Sequence, residues 1–261
     1  TVWTKNIWPE HLVEAKFTPN GDKIIAVTDD NVILINTKSG EILINKPIDS
    51  LLYDSKTINL ELAPSNIEFA TSAQNGRMTI FDLITLDTIR TFYIGRPIHD
   101  FKYNYQGDKI YFCIFTDYEG IYNEFSEKSI YVYDISSKKV TDTLGELEGN
   151  LNIVFSENYF ATNSIIYQDG EWHHRIKLYN SHTNQFIKVL GTHNSWITAM
   201  DFSPNGRYLA TACADSMIKL WDINELELFR EFKIEGKLGE NQWALSINTL
   251  KFSSDSKYIA M

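Results

Sequence analysis

Along most of the chain, apolar and polar residues alternate in runs of five to seven, and turns rich in Gly, Asn, Asp and Pro separate the runs. The pattern is clearest between Gly191 and Asp222. Met200 and Phe202 fall on one face of an extended segment, and Ile218 and Leu220 do the same further on, which is strand periodicity. Between the first two runs, Pro204 sets φ for a turn and Gly206 supplies the left-handed residue that ends it. Between the second and third, Ala214-Asp215-Ser216 is short and polar, as a tight hairpin requires. Three strands and two turns thus fit into about thirty residues.

Weaker copies of this grammar run through the rest of the chain. Phe17-Thr18-Pro19-Asn20-Gly21 repeats the first turn, and strands Ile24–Val27, Val32–Asn36 and Ile42–Asn45 follow it. A second copy has strands Ile58–Leu62, Phe69–Ser72 and Met78–Asp82, with Asn75-Gly76 as a hairpin signal. A third begins near Ile98, turns at Gln106-Gly107-Asp108, and has strands Lys109–Ile114 and Ser129–Asp134. A fourth has strands Asn152–Phe155, Tyr159–Thr162 and Arg175–Tyr179; the fifth is the clear one. A sixth begins at Ser246–Phe252, turns at Ser253–Ser256 and reaches Lys257–Met261. The aromatic residues that close the first strands recur every forty to fifty residues or so, the spacing of propeller blades rather than of a single barrel or sandwich.

The clear copy resembles a WD40 repeat. The resemblance rests on Gly191 and His193, the turn Phe202–Gly206, Leu209–Thr211, Asp215, and Leu220-Trp221-Asp222. It implies an all-β fold, a WD40-like β-propeller of about six four-stranded blades. A truncated propeller of seven is the alternative. The expected organisation is one domain, 1–261, with repeats starting near 12, 57, 98, 150, 196 and 246, and residues 1–9 completing the last blade. By match of position, His193, Thr211, Asp215 and Trp221 would form the hydrogen-bonded tetrad of a well-formed repeat. Only the fifth copy carries the whole set. The others place Phe81, Tyr133 or Tyr179 where Trp221 stands, rings that fill similar volume.

Composition narrows the function. A net charge of −10 argues against direct nucleic-acid binding, which depends on Lys and Arg. The cysteines, Cys113 and Cys213, fall in second strands of blades that are not neighbours, so buried thiols are expected rather than a disulfide. No apolar stretch of membrane-spanning length, signal segment or Asn-x-Ser/Thr site is present, which points to a reducing compartment, cytoplasmic with the nucleus also open.

No catalytic constellation stands out. Thr211, His193 and Asp215 contain the ingredients of a hydroxyl–imidazole–carboxylate triad. The resemblance makes them structural, and no nucleophile-elbow turn accompanies them. His173 and His174 are adjacent on an extended segment and would point to opposite faces, so neither a metal site nor a cofactor is expected. Three long excursions draw more attention: Thr116–Lys128, Asn163–His174, read as a loop, and Glu235–Leu245. In a WD40-type blade all three would emerge on one face. They carry Tyr118, Tyr122, Phe125, Tyr167, Trp172, His173 and Trp243, residue types that anchor interfaces. The expected function is a non-catalytic scaffold or adaptor that holds a protein or peptide partner through that face, within a multiprotein complex. A propeller enzyme using the axial channel and a purely structural subunit are the alternatives.

Overall fold

The computed structural model describes residues 11–48, 57–94, 98–115, 128–147, 152–214, 216–234, 247 and 249–261. Among these residues there are strands and turns but no helix. Strands β1 (Leu12–Phe17), β2 (Lys23–Thr28), β3 (Asn31–Asn36) and β4 (Ile42–Pro47) make blade 1. Blade 2 is β5 (Thr57–Leu62), β6 (Glu68–Ala73), β7 (Arg77–Asp82) and β8 (Thr88–Tyr93). Blade 3 is β9 (Ile98–Tyr103), β10 (Lys109–Phe115), β11 (Lys128–Asp134) and β12 (Lys139–Leu147). Blade 4 is β13 (Ile153–Phe155), β14 (Tyr159–Gln168), β15 (Glu171–Asn180) and β16 (Phe186–His193). Blade 5 is β17 (Ile197–Phe202), β18 (Tyr208–Cys213), β19 (Met217–Asp222) and β20 (Glu227–Lys233). Strands β21 (Lys251–Phe252) and β22 (Ile259–Ala260) pair as a sixth, two-stranded sheet. Consecutive strands lie side by side in every sheet, the all-β architecture of WD40-type blades. The chain forms two compact units: Thr1–Tyr118 with Ser129–Thr143, and Glu119–Lys128 with Leu144–Met261. Residues 1–9, expected to complete the last blade, lie outside the described residues.

Two side-chain devices explain why the turns recur. After the first strand, an oxygen-bearing side chain accepts the backbone N–H five residues on. Thr18 does so from Lys23 at 3.1 Å, Asn104 from Lys109 at 2.9 Å, Ser203 from Tyr208 at 2.9 Å and Ser253 from Tyr258 at 2.9 Å. After the third strand, an Asp or Asn folds back on the next turn, the Asx arrangement those side chains favour. Asp82 accepts from the N–H groups of Ile84 and Thr85 at 2.9 and 2.8 Å. Asn36, Asp134, Asn180 and Asp222 occupy the same place in their own blades. The acidic residue after the aromatic one is therefore a turn cap. A backbone bond then ties the two turns of each blade together: Thr37 N–H to the Asp22 carbonyl, Leu83 to Ile67, Ile135 to Asp108, Ser181 to Asn158 and Ile223 to Arg207, at 2.8–3.0 Å.

Packing occurs between faces of neighbouring blades. In the first unit, Ile25, Val27 and Leu34 of blade 1 meet Leu60, Phe69 and Phe81 of blade 2. Ala70, Met78 and Ile80 of blade 2 meet Phe101, Ile110 and Phe112 of blade 3. In the second unit, Ile176 and Leu178 of blade 4 meet Phe202, Leu209 and Trp221 of blade 5. Each such fully buried side chain contributes roughly 1.5–3 kcal/mol. Where the third strand ends in Phe or Tyr, stacked rings fill the space. The pairs are Phe69–Phe81 at 5.0 Å, Phe160–Tyr179 at 4.8 Å and Phe92–Tyr133 at 4.0 Å, with interplanar angles of 12°, 4° and 4°.

One expected loop is not a loop. Residues 163–174 continue strands β14 and β15, paired from Tyr159↔Asn180 out to Gln168↔Glu171. The two strands join through Asp169 and Gly170, both at positive φ (56° and 85°). That two-residue turn twists the way a β-hairpin requires, and Ile165, Ile166, Tyr167 and Trp172 favour the extended backbone. Cys113 and Cys213 are buried free thiols.

Candidate functional site

Three of the four tetrad positions can be described, and they touch. The Trp221 indole N–H donates to Thr211 Oγ1 at 2.9 Å, and Thr211 Oγ1 lies 2.7 Å from His193 Nε2. With one lone pair taken by the indole, the Thr211 proton has two candidate acceptors in reach, His193 Nε2 and the Lys219 carbonyl at 3.4 Å. The shorter contact is to the imidazole, and the ring tautomer sets which of the two groups donates. All three side chains are buried. Asp215 lies outside the described residues. A hydroxyl and an imidazole sealed between blades present no face to a substrate, so the group acts as a polar clasp in the core. Gly191 shares its environment: a methyl there would sit 2.7 Å from Cζ3 of the Trp221 indole and nearer still to Cη2. The glycine two residues before His193 is the space in which the indole lies.

The hairpin β14–β15 carries the exposed chemistry. Its strands are ten residues long, against six for β18 and six for β19 of blade 5. Four extra residues per strand carry the tip about 13 Å further at the rise of an extended chain. Tyr167 and Trp172 pair across the tip, ring centroids 4.9 Å apart, with 58% and 46% of their surfaces exposed. The period of two puts Ile165, Tyr167, Trp172 and His174 on one face and His173 and Arg175 on the other. His174 is buried and its ring meets Trp196, 5.2 Å away, in the connection to blade 5. Arg175 donates to Gln168 Oε1 at 3.0 Å and braces the hairpin from its far side. Of the expected partner-binding residues, Tyr167, Trp172 and His173 therefore share this hairpin. Tyr118, Tyr122, Phe125 and Trp243 lie outside the described residues.

A second polar feature was not singled out from the sequence. On the innermost strands of blades 1, 2 and 3, Lys16, Glu61 and Lys102 occupy one position, just before each strand's last residue. Glu61 accepts from Lys102 Nζ at 2.8 Å and also from Lys16 Nζ, so one carboxylate joins three blades. Glu14 accepts from the Leu60 N–H at 2.8 Å across the same seam. Burial works against the Glu61 charge, but Lys102 and Lys16 outweigh it and hold the carboxyl below its ordinary value of 4.5. Burial raises neighbouring Asp100 despite Lys102 and the Phe101 N–H. Blades 5 and 6 repeat the device with Asp201 and Lys251 at 2.8 Å. Sequence alternation alone reads these charges as solvent-facing, because the partner that pairs them lies one blade away.

Among the described residues no group of three His, Cys, Asp or Glu side chains is placed to hold a metal ion. No helix among them is long and apolar enough to cross a membrane.

Comparison with known proteins agrees with this geometry. The family model described as WD domain, G-beta repeat matches residues 184–222, the stretch that holds Gly191, His193, Thr211 and Trp221. The chain is 33% identical over 98 residues to Pre-mRNA-processing factor 19 of Oryza sativa subsp. japonica, a match covering 38% of this chain and 18% of that protein. It is 23% identical over 190 residues to WD repeat-containing protein AAC3 of Dictyostelium discoideum, covering 72% of this chain and 38% of that protein. With Eukaryotic translation initiation factor 3 subunit I of Vanderwaltozyma polyspora it shares 24% identity over 242 residues, 86% of this chain and 65% of the relative. The chain thus spans less than two thirds of the length of each of these relatives. Blades of four antiparallel strands, an indole–hydroxyl–imidazole clasp beneath a glycine, and the family match lead to one conclusion: residues 184–222 are a WD40 repeat, in a chain similar to WD40-repeat proteins.

Proposed function

We propose that the chain is a non-catalytic interaction module that holds a protein or peptide partner, with the β14–β15 hairpin as the principal contact. The reading rests on Tyr167 and Trp172, two large rings exposed at the end of a hairpin that is longer than those of blades 1, 2 and 5 and braced on both faces. Rigid, amphipathic aromatics of this kind gain contact area at small entropic cost and are enriched among binding hot spots. Tyr118, Tyr122, Phe125, His173 and Trp243 are proposed as further partner contacts. The similarity to a translation-initiation-factor subunit and to a pre-mRNA-processing factor supports a place within a larger assembly, in the cytoplasm or the nucleus. The clasp around Thr211 contributes stability and no catalysis, because its hydroxyl and imidazole are sealed from solvent.

The test is a quantitative affinity capture from cell extract with the intact chain and with Tyr167→Ala/Trp172→Ala. The proposal expects specific partners to be lost at least tenfold while the thermal midpoint moves by less than about 2 °C, since exposed sites carry little of the folding energy. Retention of every partner by the double variant would refute it.

A further inference from the structure

The turns at the opposite end of the strands from the β14–β15 tip offer an internal comparison, because five blades build the same pair of turns with the same backbone bond. In each, a residue of the first turn gives its carbonyl to an N–H of the second, and the residue after that donor points outward. The two outward positions are Asp22 and Lys38 in blade 1, Asp108 and Ser136 in blade 3, Asn158 and His182 in blade 4, and Arg207 and Asn224 in blade 5. In blade 4 the side chains at these positions meet across the turns, His182 Nε2 lying 3.4 Å from Asn158 Oδ1. Blade 2 alone among the described four-stranded blades has apolar residues at both: Ile67, 63% exposed, and Ile84, 70% exposed.

Nothing local demands isoleucine there. The turn is held by Asp82, which caps the N–H groups of Ile84 and Thr85, and by Leu86, whose side chain is buried. The first turn of blade 3 abuts the first turn of blade 2: a Cβ on Gly107 would touch Pro64 Cδ at 3.4 Å, and the same turn carries half-exposed Tyr105. The turns of blade 2 are themselves acidic, with Lys46 of blade 1 paired to Asp87 and Arg90 acting on Glu68 from nearby. The two turns of blade 2, residues 63–68 and 82–87, contain Glu68, Asp82 and Asp87 and no Lys or Arg. Backbone N–H groups hold Asp82 below the ordinary carboxyl range, and Lys46 does the same for Asp87, so both are ionised at neutral pH.

We infer that the Ile67–Ile84 pair is a second docking point, shaped for a protein segment that presents an aliphatic side chain flanked by Lys or Arg. The two isoleucines supply an apolar contact that buries on association, and the acidic turns select the sign of the flanking charge. This surface lies in the first unit and does not depend on the hairpin of blade 4.

The test uses the intact chain and three fluorescent peptides in anisotropy titrations. One carries two leucines between lysines, one the same leucines between glutamates, and one serines between lysines. The inference expects the lysine-flanked leucine peptide to bind at least tenfold more tightly than either of the others. Ile67→Asp/Ile84→Lys, which installs the blade 1 pair without changing net charge, should weaken that peptide at least tenfold. Ile67→Asn/Ile84→His, the blade 4 pair, should do the same and guards against a fold defect peculiar to one variant. Tyr167→Ala/Trp172→Ala should bind as the parent does. Equal affinity for the three peptides, no binding of any, or unchanged binding by both isoleucine variants overturns the inference. Sedimentation that shows self-association of the parent, lost in both variants, also overturns it and assigns the pair to a second copy of the chain.

Discussion

Replacing Gly191 by alanine separates steric packing from backbone freedom. Gly191 is not among the glycines at positive φ, so the substitution imposes no backbone strain of its own. Its whole effect comes from the added methyl, 2.7 Å from Cζ3 of Trp221, about 1 Å inside a comfortable carbon–carbon contact. Neither side yields freely. The indole is anchored through its N–H to Thr211 Oγ1 at 2.9 Å, and Gly191 is paired in register with Ile176 on β15. Overpacking of this kind costs about 1–3 kcal/mol. If the indole tilts to escape, the bond to Thr211 weakens and adds about 1 kcal/mol. A destabilisation of about 2–4 kcal/mol lowers the thermal midpoint by about 4–8 °C in a chain of 261 residues. Thermal unfolding followed by near-ultraviolet circular dichroism and tryptophan fluorescence measures it. The diagnostic is a double-mutant cycle with Trp221→Phe. The smaller ring relieves the clash, so Gly191→Ala should cost at least 1 kcal/mol less in that background. Blade 2 already shows such a trade, since Phe92 holds the register position of Gly191 and stacks on Tyr133. An alanine variant within 0.5 kcal/mol of the parent, or strict additivity in the cycle, would show that the glycine does not make room for the indole.

Other perturbations test the remaining steps. His193→Ala removes the imidazole partner of Thr211 and should cost about 1–3 kcal/mol in urea unfolding, with partner capture unchanged once folded; a loss of capture at full stability would make the imidazole a contact residue. Glu61→Gln strips the shared carboxylate from Lys16 and Lys102, whose side chains stay about a quarter to a third exposed, and should cost about 1–2 kcal/mol at neutral pH. The folded Glu61 carboxyl sits below 4.5, so its stabilisation is present above that pH and fades as pH falls through the folded value. The gap between Glu61→Gln and the parent should therefore shrink on acidification below pH 4.5; a gap that widens would refute the assignment. Asp100 is raised chiefly by burial and in part by the Glu61 charge, so making the comparison in an Asp100→Asn background isolates Glu61. Gly170→Ala puts a Cβ at φ 85° with no neighbour within 4 Å, so about 1 kcal/mol of purely conformational cost should appear. Amide exchange should rise at the β14–β15 tip and stay constant in blade 5.

What could be read from the chain alone was local. The turn after each first strand needs an oxygen-bearing side chain and a residue that accepts positive φ, and Ser203 with Gly206 announces both within four positions. Asp82, Asp134 and Asp222 cap their turns within three residues, so they too are visible as sequence. Asp169-Gly170 was equally legible as a hairpin turn. Asn163 and Ser164 are polar in sequence, yet both are buried once β14 is paired. By contrast, Glu61 meets Lys16 and Lys102 more than forty residues away on either side. No local pattern marks a charge as paired when its partners belong to other repeats.

The sequence by itself determined the strand-and-turn unit, its period and the identity of its best copy, because backbone dihedrals and near-neighbour hydrogen bonds act within a few residues. Only the tertiary structure decided which faces meet. It set the indole of Trp221 over Gly191, strung Lys16, Glu61 and Lys102 across three blades, and left Ile67 and Ile84 in solvent where other blades are polar. Those outcomes depend on the packing of one repeat against the next, and burial and charge pairing belong to that contact rather than to either strand.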